Sequence, residues 1–304
     1  MAERLTMQEE QMAREIWLEQ RKNGLGGSDA AVILGLSPWK SPLALWSEKT
    51  GLVEPEDIGA LEYVEWGNIL EEPIAKKYSE VTGRKLVDHG RYLIFKSPIH
   101  PFMFCTPDRE IVPIDDRGPG ELSIKTAGAY KEHDWEEEPP LMYQAQLQHE
   151  LIVRELLWGS FAVLIGGQKF RWCDQDRNED LCSYILEKEE EFWDQVQRED
   201  PPPADASDST KEVLLRLYPQ DTGESVALSP DALDWAEKRS SLKQEEKRIK
   251  SELQEVDNLI KAAIGDATFG VLPDGSGFKW AQQKRAGYTV QPTEFRVLRE
   301  VKKI

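Results

Sequence analysis

Thr106-Pro107-Asp108, followed across a turn-rich loop by Gly120-Glu121-Leu122-Ser123-Ile124-Lys125-Thr126, is the stretch on which the fold turns. Segments 103–112 and 121–126 read as strands, joined through Asp115-Asp116-Arg117-Gly118-Pro119-Gly120. Strand residues two apart share a face, so Glu121, Ser123 and Lys125 point one way, and Asp108 stands at the end of the preceding strand. An acid and a lysine brought to one cleft suit a hard divalent cation such as Mg2+, which takes oxygen ligands and keeps several waters.

Working outward, helices precede this stretch. Thr6 with Glu9 forms a capping box for a first helix that carries Ile16 and Trp17 and stops near Asn23-Gly24. Gly26-Gly27-Ser28-Asp29 leads into a short apolar helix over 30–34 with Ser28 as its N-cap. Ser41-Pro42 opens another helix that Thr50-Gly51 ends, and a fourth spans about 67–81 and stops at Gly83. Segment 91–95 reads as a strand, and after Pro139-Pro140 the segment 141–158 has helical spacing at Leu147, Leu151 and Leu156. Segments 161–165 and 169–172 flank Gly166-Gly167 as a two-residue hairpin, and a long acidic helix covers about 179–196. The result is an α/β core over 1–200.

A linker by composition follows at 201–228, opening with Pro201-Pro202-Pro203. Ser229-Pro230 starts a long helix over 229–265, in which Leu242, Ile249, Leu253, Val256, Ile260 and Ala263 trace a heptad seam closed by Gly265. A small basic β unit occupies 266–304, with a hairpin over 269–272 and 278–282 and further strand material at 288–290 and 295–298.

Composition narrows the classes. Ten Trp, nine Phe and eight Tyr among 304 residues demand a core, which excludes a disordered chain. No apolar run reaches the roughly 18–20 residues of a membrane span, and 1–17 lacks a signal-peptide core, so a cytoplasmic protein with no membrane partner is expected. Cys105, Cys173 and Cys182 are odd in number and read as reduced thiols; His100 and His149 lack metal-ligand spacing and read as structural. A net charge of −18 argues against indiscriminate coating of nucleic acid. That charge is uneven: 174–200 carries eleven acidic and three basic residues, whereas 279–303 carries seven basic and two acidic.

The acid-loop-strand arrangement resembles the metal site of PD-(D/E)XK nucleases. Five ordered motifs make the resemblance specific to the YqaJ-type viral recombinase nucleases, relatives of phage lambda exonuclease. They are Arg21 with Gly26-Gly27-Ser28-Asp29, Trp66-Gly67-Asn68-Ile69-Leu70-Glu71, Thr106-Pro107-Asp108, Leu122-Ser123-Ile124-Lys125-Thr126 and Tyr143-Gln144-Ala145-Gln146-Leu147-Gln148.

The resemblance implies a restriction-endonuclease-like fold, with a mixed central sheet flanked by helices. It implies Glu71 and Asp108 as metal-associated acids, the Ile124 carbonyl as a further ligand, Lys125 as the catalytic lysine and Gln146 as an active-site glutamine. Arg21 and Ser28 match residues that bind a terminal 5′ phosphate. The implied activity is Mg2+-dependent 5′-to-3′ digestion of linear double-stranded DNA, with Mn2+ able to substitute. The expected products are 3′ single-stranded ends for an annealing protein of the phage recombinase type, and the resemblance also implies a homotrimeric ring.

The sequence departs from the family at position 123, where serine replaces the second principal acid. Glu121, one two-residue repeat away on the same face, is a possible substitute; without one, weak cleavage is expected. Lys279, Lys284 and Arg285, beside Trp280, are candidates for phosphate contact. Three other readings stay open: a DNA-end-binding homologue that cleaves poorly, an endonuclease on the same core, and a non-catalytic partner or inhibitor presenting the acidic 174–200 segment.

Overall fold

The computed structural model describes residues 7–285 together with Gly287, Arg296, Leu298 and Arg299. It divides into two compact units, Met1–Pro219 and Gln220–Ile304.

In the first unit, helices α1 (Met7–Lys22), α2 (Gly27–Ile33), α3 (Pro42–Lys49) and α4 (Glu62–Thr82) precede the sheet. Helix α3 follows its caps: the Ser41 hydroxyl accepts the Ala44 N–H at 3.2 Å, and Pro42 sits where no intrahelical donor is needed. Helix α4 begins at Glu62, earlier than the spacing predicts, and ends at Gly83, whose φ of 72° is the left-handed conformation glycine adopts freely. Thr6, the predicted cap of α1, lies outside the described residues.

The strands are β1 (Leu86–Val87), β2 (Phe95–Lys96), β3 (Phe104–Cys105), β4 (Arg109–Ile111), β5 (Gly120–Ala127), β6 (Trp158–Ile165) and β7 (Lys169–Asp176). They form a five-stranded mixed sheet in the order β1-β4-β5-β6-β7 and a separate β2-β3 ribbon. The strand expected over 103–112 is therefore two strands in two sheets. Pro107 has no amide hydrogen to give a ladder, and the chain changes sheets around it, leaving Asp108 at the junction. The strand expected over 91–95 shrinks to the two residues of β2.

Strands β5 and β6 pair in parallel, and helix α5 (Leu141–Arg154) makes the crossover between them. The helix ends at Arg154 rather than 158 because Glu155 turns left-handed, with φ 53°, and Trp158 already belongs to β6. Ile165 pairs with Lys169, so the β6-β7 connection has three residues, two of them glycines at positive φ, instead of the predicted two.

Alternation on β5 separates the chemistry from the packing. Leu122 and Ile124 join Ile74 and Tyr78 of α4 with Ile111, Trp158 and Ala162 in one core, while on the other side of the sheet Leu147 and Leu151 of α5 pack with Phe161 and Val163. Helix α6 (Glu179–Arg198) follows. Helix α7 (Asp208–Leu217) falls inside the expected linker and packs on α3, where the Thr210 hydroxyl donates to the Ser41 hydroxyl at 2.9 Å. Division between the units accordingly comes at Pro219, later than composition predicts.

The second unit holds α8 (Ala232–Ile264) and a hairpin of β8 (Phe269–Val271) and β9 (Gly277–Lys279). Leu242, Ile249, Leu253 and Val256 of the heptad seam are exposed. Segment 288–290, Phe295, Val297, and both Lys302 and Lys303 lie outside the described residues. Among the described residues, no helix is long and apolar enough to cross a membrane.

Candidate active site

The site is built from β5 and the face of α5 that covers it. Lys125 Nζ donates to Gln146 Oε1 at 3.3 Å, and the Gln146 amide donates to Glu150 Oε1 at 2.9 Å. At the other end of the strand, Arg154 donates to Glu121 Oε2 at 2.6 Å and also pairs with Glu110. Between them Ser123 is buried, and its hydroxyl oxygen has no hydrogen-bond partner.

Asp108 enters from the β3-β4 junction. Its Oδ2 accepts the Ile124 N–H at 2.7 Å, which ties the carboxylate to the Ser123-Ile124-Lys125 stretch. The first residue of the motif, Thr106, is anchored as well, since Trp17 Nε1 of α1 donates to its hydroxyl at 3.0 Å. Glu71 of α4 pairs with Arg109 and lies 3.9 Å from Arg91. Burial and the nearby Asp108 charge raise its carboxyl above the usual range against the pull of Arg109.

Excess negative charge is the common property of this group. Burial pushes Glu150 up to about 7, with Lys125 opposing and Asp108 adding to the shift. Glu121, fully buried, is raised well above its usual value by burial and by Glu150, although Arg154 draws it down. The possible substitute acid is thus held by an arginine, and its other oxygen, Oε1, has no hydrogen-bond partner.

Hard oxygen donors at Asp108 and Glu71, together with the orphaned Ser123 oxygen, fit a divalent cation in chemistry. Among the described residues, however, no three His, Cys, Asp or Glu side chains stand together as an assembled metal cluster, Glu71 being engaged by Arg109.

Ser28 is not the N-cap of α2. Gly26 takes that place, because Asp29 reaches back to accept the Gly26 N–H at 3.0 Å; Ser28 sits in the first turn, exposed. Arg21, stacked 4.8 Å over Trp17, donates to the Ser28 hydroxyl at 3.1 Å, so the two predicted anion binders do meet. Behind them Asp29 forms a buried ion pair with Lys49 at 2.9 Å and lies 3.9 Å from Arg21. Burial alone would raise Asp29, yet Lys49, Arg21 and the Gly26 N–H together bring it down to about 2. The same burial pulls the Lys49 ammonium below its usual value, against Asp29.

Glycine joins this corner to the acids. A Cβ on Gly27 would lie 2.6 Å from Glu150 Oε1 and 3.1 Å from the Gln146 side chain, so any larger residue would have to displace the Glu150 carboxylate from its place.

The structure brings together Asp108, Ser123, Lys125 and Gln146, with Glu71 close enough to Asp108 to feel its charge. Lys279, Lys284 and Arg285 belong to the second unit and are exposed. His149 is structural, as expected: fully buried, it bonds to Glu189 at 2.8 Å and to the Phe104 carbonyl at 2.9 Å, and burial notwithstanding, Glu189 raises it to about 9. The three cysteines form no disulfide. Sequence reasoning missed Glu150, Arg154, Arg109 and Lys49. The one available signal was the four-residue spacing from Gln146 to Glu150, which puts both on one helix face.

Residues 16–156 match the YqaJ-like viral recombinase domain family. The chain is 35% identical over 270 residues to the uncharacterized protein YqaJ of Bacillus subtilis (strain 168), covering 86% of this chain and 82% of that protein. Its structure is similar to the alkaline exonuclease LHK-Exo from Laribacter hongkongensis, with a TM-score of 0.51 at 18% identity, over 67% of this chain and all of that one. LHK-Exo in complex with dAMP gives a TM-score of 0.50 at 18% identity, covering 66% of this chain and 96% of that one. The shared fold is the restriction-endonuclease-like one, a mixed sheet flanked by helices.

Proposed function

Because this chain belongs to the YqaJ family of viral recombinase domains, we propose that it is a Mg2+-dependent deoxyribonuclease that digests linear double-stranded DNA from the 5′ ends. The 3′ single strands it leaves go to an annealing protein, and Mn2+ substitutes for Mg2+. One observation carries the reading: Asp108, Lys125 and Gln146, far apart in sequence, meet at one strand-helix junction through the Ile124 N–H and the Lys125 ammonium. An alkaline exonuclease with the same fold supports the same class of chemistry.

A divalent ion, when bound, supplies an activated water and offsets charge on the scissile phosphate. Asp108, Glu71 and the Ile124 carbonyl would hold it, with the Ser123 hydroxyl where the family carries an acid. Lys125 donates to a phosphate oxygen as negative charge develops there, and Gln146 positions it by accepting one of its three protons. Arg21 and Ser28 take the terminal 5′ phosphate, each charge-assisted hydrogen bond being worth about 1.5–3 kcal/mol. Lys279, Lys284 and Arg285 add sequence-independent phosphate contacts. A homotrimeric ring that encloses the duplex is part of this reading, because it reconciles an acidic exterior with a DNA-lined interior.

Nucleotide release from 5′-phosphorylated linear duplex, 5′-hydroxyl linear duplex and covalently closed circular DNA, each with Mg2+, tests the proposal. The expected order is fastest on the first, slower on the second and none on the third. Cutting of closed circles would replace it with an endonuclease, and no release from any substrate would remove the activity.

A further inference from the structure

Lys125, Ser123 and Glu121 occupy alternate positions on one face of β5, and the partners of the outer two are fixed. Lys125 meets Gln146 at 3.3 Å and Glu121 meets Arg154 at 2.6 Å, eight residues further along α5. Two residues along a strand advance about 6.6 Å, and four along a helix advance about 6 Å. The strand and the helix therefore keep step in opposite directions, and the middle rung sets Ser123 opposite Glu150.

Three independent features mark that rung. The Ser123 oxygen is buried, at 2% residue exposure, without a hydrogen-bond partner. Glu150 is 5% exposed and its Oε1 accepts the Gln146 amide at 2.9 Å, and among the described residues no arginine or lysine forms an ion pair with it. Gly27 leaves room for that carboxylate, which a Cβ there would force to shift. Glu121 is also buried with an unpartnered Oε1, but it differs in one respect: Arg154 holds its Oε2 at 2.6 Å.

We propose that Glu150 supplies, from the helix, the carboxylate that Ser123 lacks on the strand, so that a divalent ion is shared between Asp108 and Glu150. The assignment rests on the nuclease reading for the ion's purpose and on the β5-α5 register for its place. It replaces the expectation of weak cleavage: the acid has changed elements without leaving the site, and the chain as it stands is competent.

Mn2+ binding to the full chain, followed by electron paramagnetic resonance and calorimetry, tests this without DNA. Glu150→Gln should weaken Mn2+ binding by at least about tenfold, the low end of what losing even an outer-shell partner costs a metal site. The exchange variant Ser123→Glu with Glu150→Ser, which moves the acid back across the rung, should restore it. Undiminished Mn2+ affinity in Glu150→Gln overturns the assignment. Should Glu150→Gln fail to fold, by loss of its cooperative thermal transition, the exchange variant decides: Mn2+ bound as tightly as by the parent chain supports Glu150, and no tight binding overturns it. Digestion of linear DNA by the parent chain is read separately. Its absence, with the Mn2+ pattern intact, would remove the nuclease reading and leave the ion assignment standing.

Discussion

Asp29 on α2 and Glu150 on α5 are both buried carboxylates on helices packed against each other, yet their environments drive them in opposite directions. Asp29 is brought down to about 2 in spite of its burial, because Lys49, Arg21 and a backbone N–H converge on it. Glu150 is pushed up to about 7 by burial, and Asp108 adds to what Lys125 and the Gln146 amide only partly offset. The first corner is electrostatically complete and holds the chain together. The second carries more negative charge than its own cations balance, as a site that receives a cation should.

The largest expected effect falls on the complete corner. Asp29→Ala leaves Lys49 buried without its carboxylate and should cost about 3–5 kcal/mol of stability at neutral pH, measured by urea unfolding. Asp29 has a folded-state pKa of about 2, depressed from 3.8, so its contribution is present above about pH 3.8 and fades as pH falls through 2. The gap between parent and variant should narrow over that window. An equal gap at pH 2 and pH 7 would break the contrast.

At the open corner, Lys125→Ala should lower DNA cleavage by about 10²–10³-fold, the usual loss on removing one donor to a developing charge, and leave Mn2+ binding in place. A loss of affinity to match the loss of rate would make Lys125 a scaffold for the acids instead.

Glu150→Gln sharpens the comparison because its sign is opposite to that of Asp29→Ala. A carboxyl raised from 4.5 to about 7 contributes stability that is present below about pH 4.5 and lost as pH rises through 7. At pH 8 without divalent ions the variant should therefore be more stable than the parent by about 3–4 kcal/mol, at roughly 1.4 kcal/mol per pH unit. Destabilisation at pH 8 would show Glu150 to be as well balanced as Asp29.

The smallest effect belongs to Arg21, which donates to the Ser28 hydroxyl and lies 3.9 Å from Asp29. Arg21→Ala should reduce the preference for a 5′-phosphorylated end by about tenfold, the value of one charge-assisted hydrogen bond, and shift unfolding far less than Asp29→Ala. Competition between 5′-phosphate and 5′-hydroxyl duplexes measures it, and an unchanged preference would assign Arg21 to Asp29 alone.

Much of this was legible in the sequence, because it depends on neighbours along the chain. Ser41-Pro42 and Gly83 bound helices through local cap chemistry, and two-residue alternation put Ser123 and Lys125 on one face of β5. The order of the motifs singles out Asp108, Lys125 and Gln146, which the fold brings together. Ser28 was misplaced by a purely local rival: a serine looks like the better cap, but Asp29 three residues after Gly26 closes the turn from the other side.

What only the tertiary structure decided is which charge answers which. Arg109 takes Glu71, Arg154 takes Glu121 and Lys49 takes Asp29, pairs separated by 38, 33 and 20 positions that no periodicity links. The register that we infer sets Glu150 across from Ser123, because the rise of β5 over two residues nearly equals the rise of α5 over four. That match exists only once the crossover has laid the helix on the strand in one register. Sequence sets which side chains share a face; the stacking of two faces sets which of them are neutralised and which remain charged for a ligand.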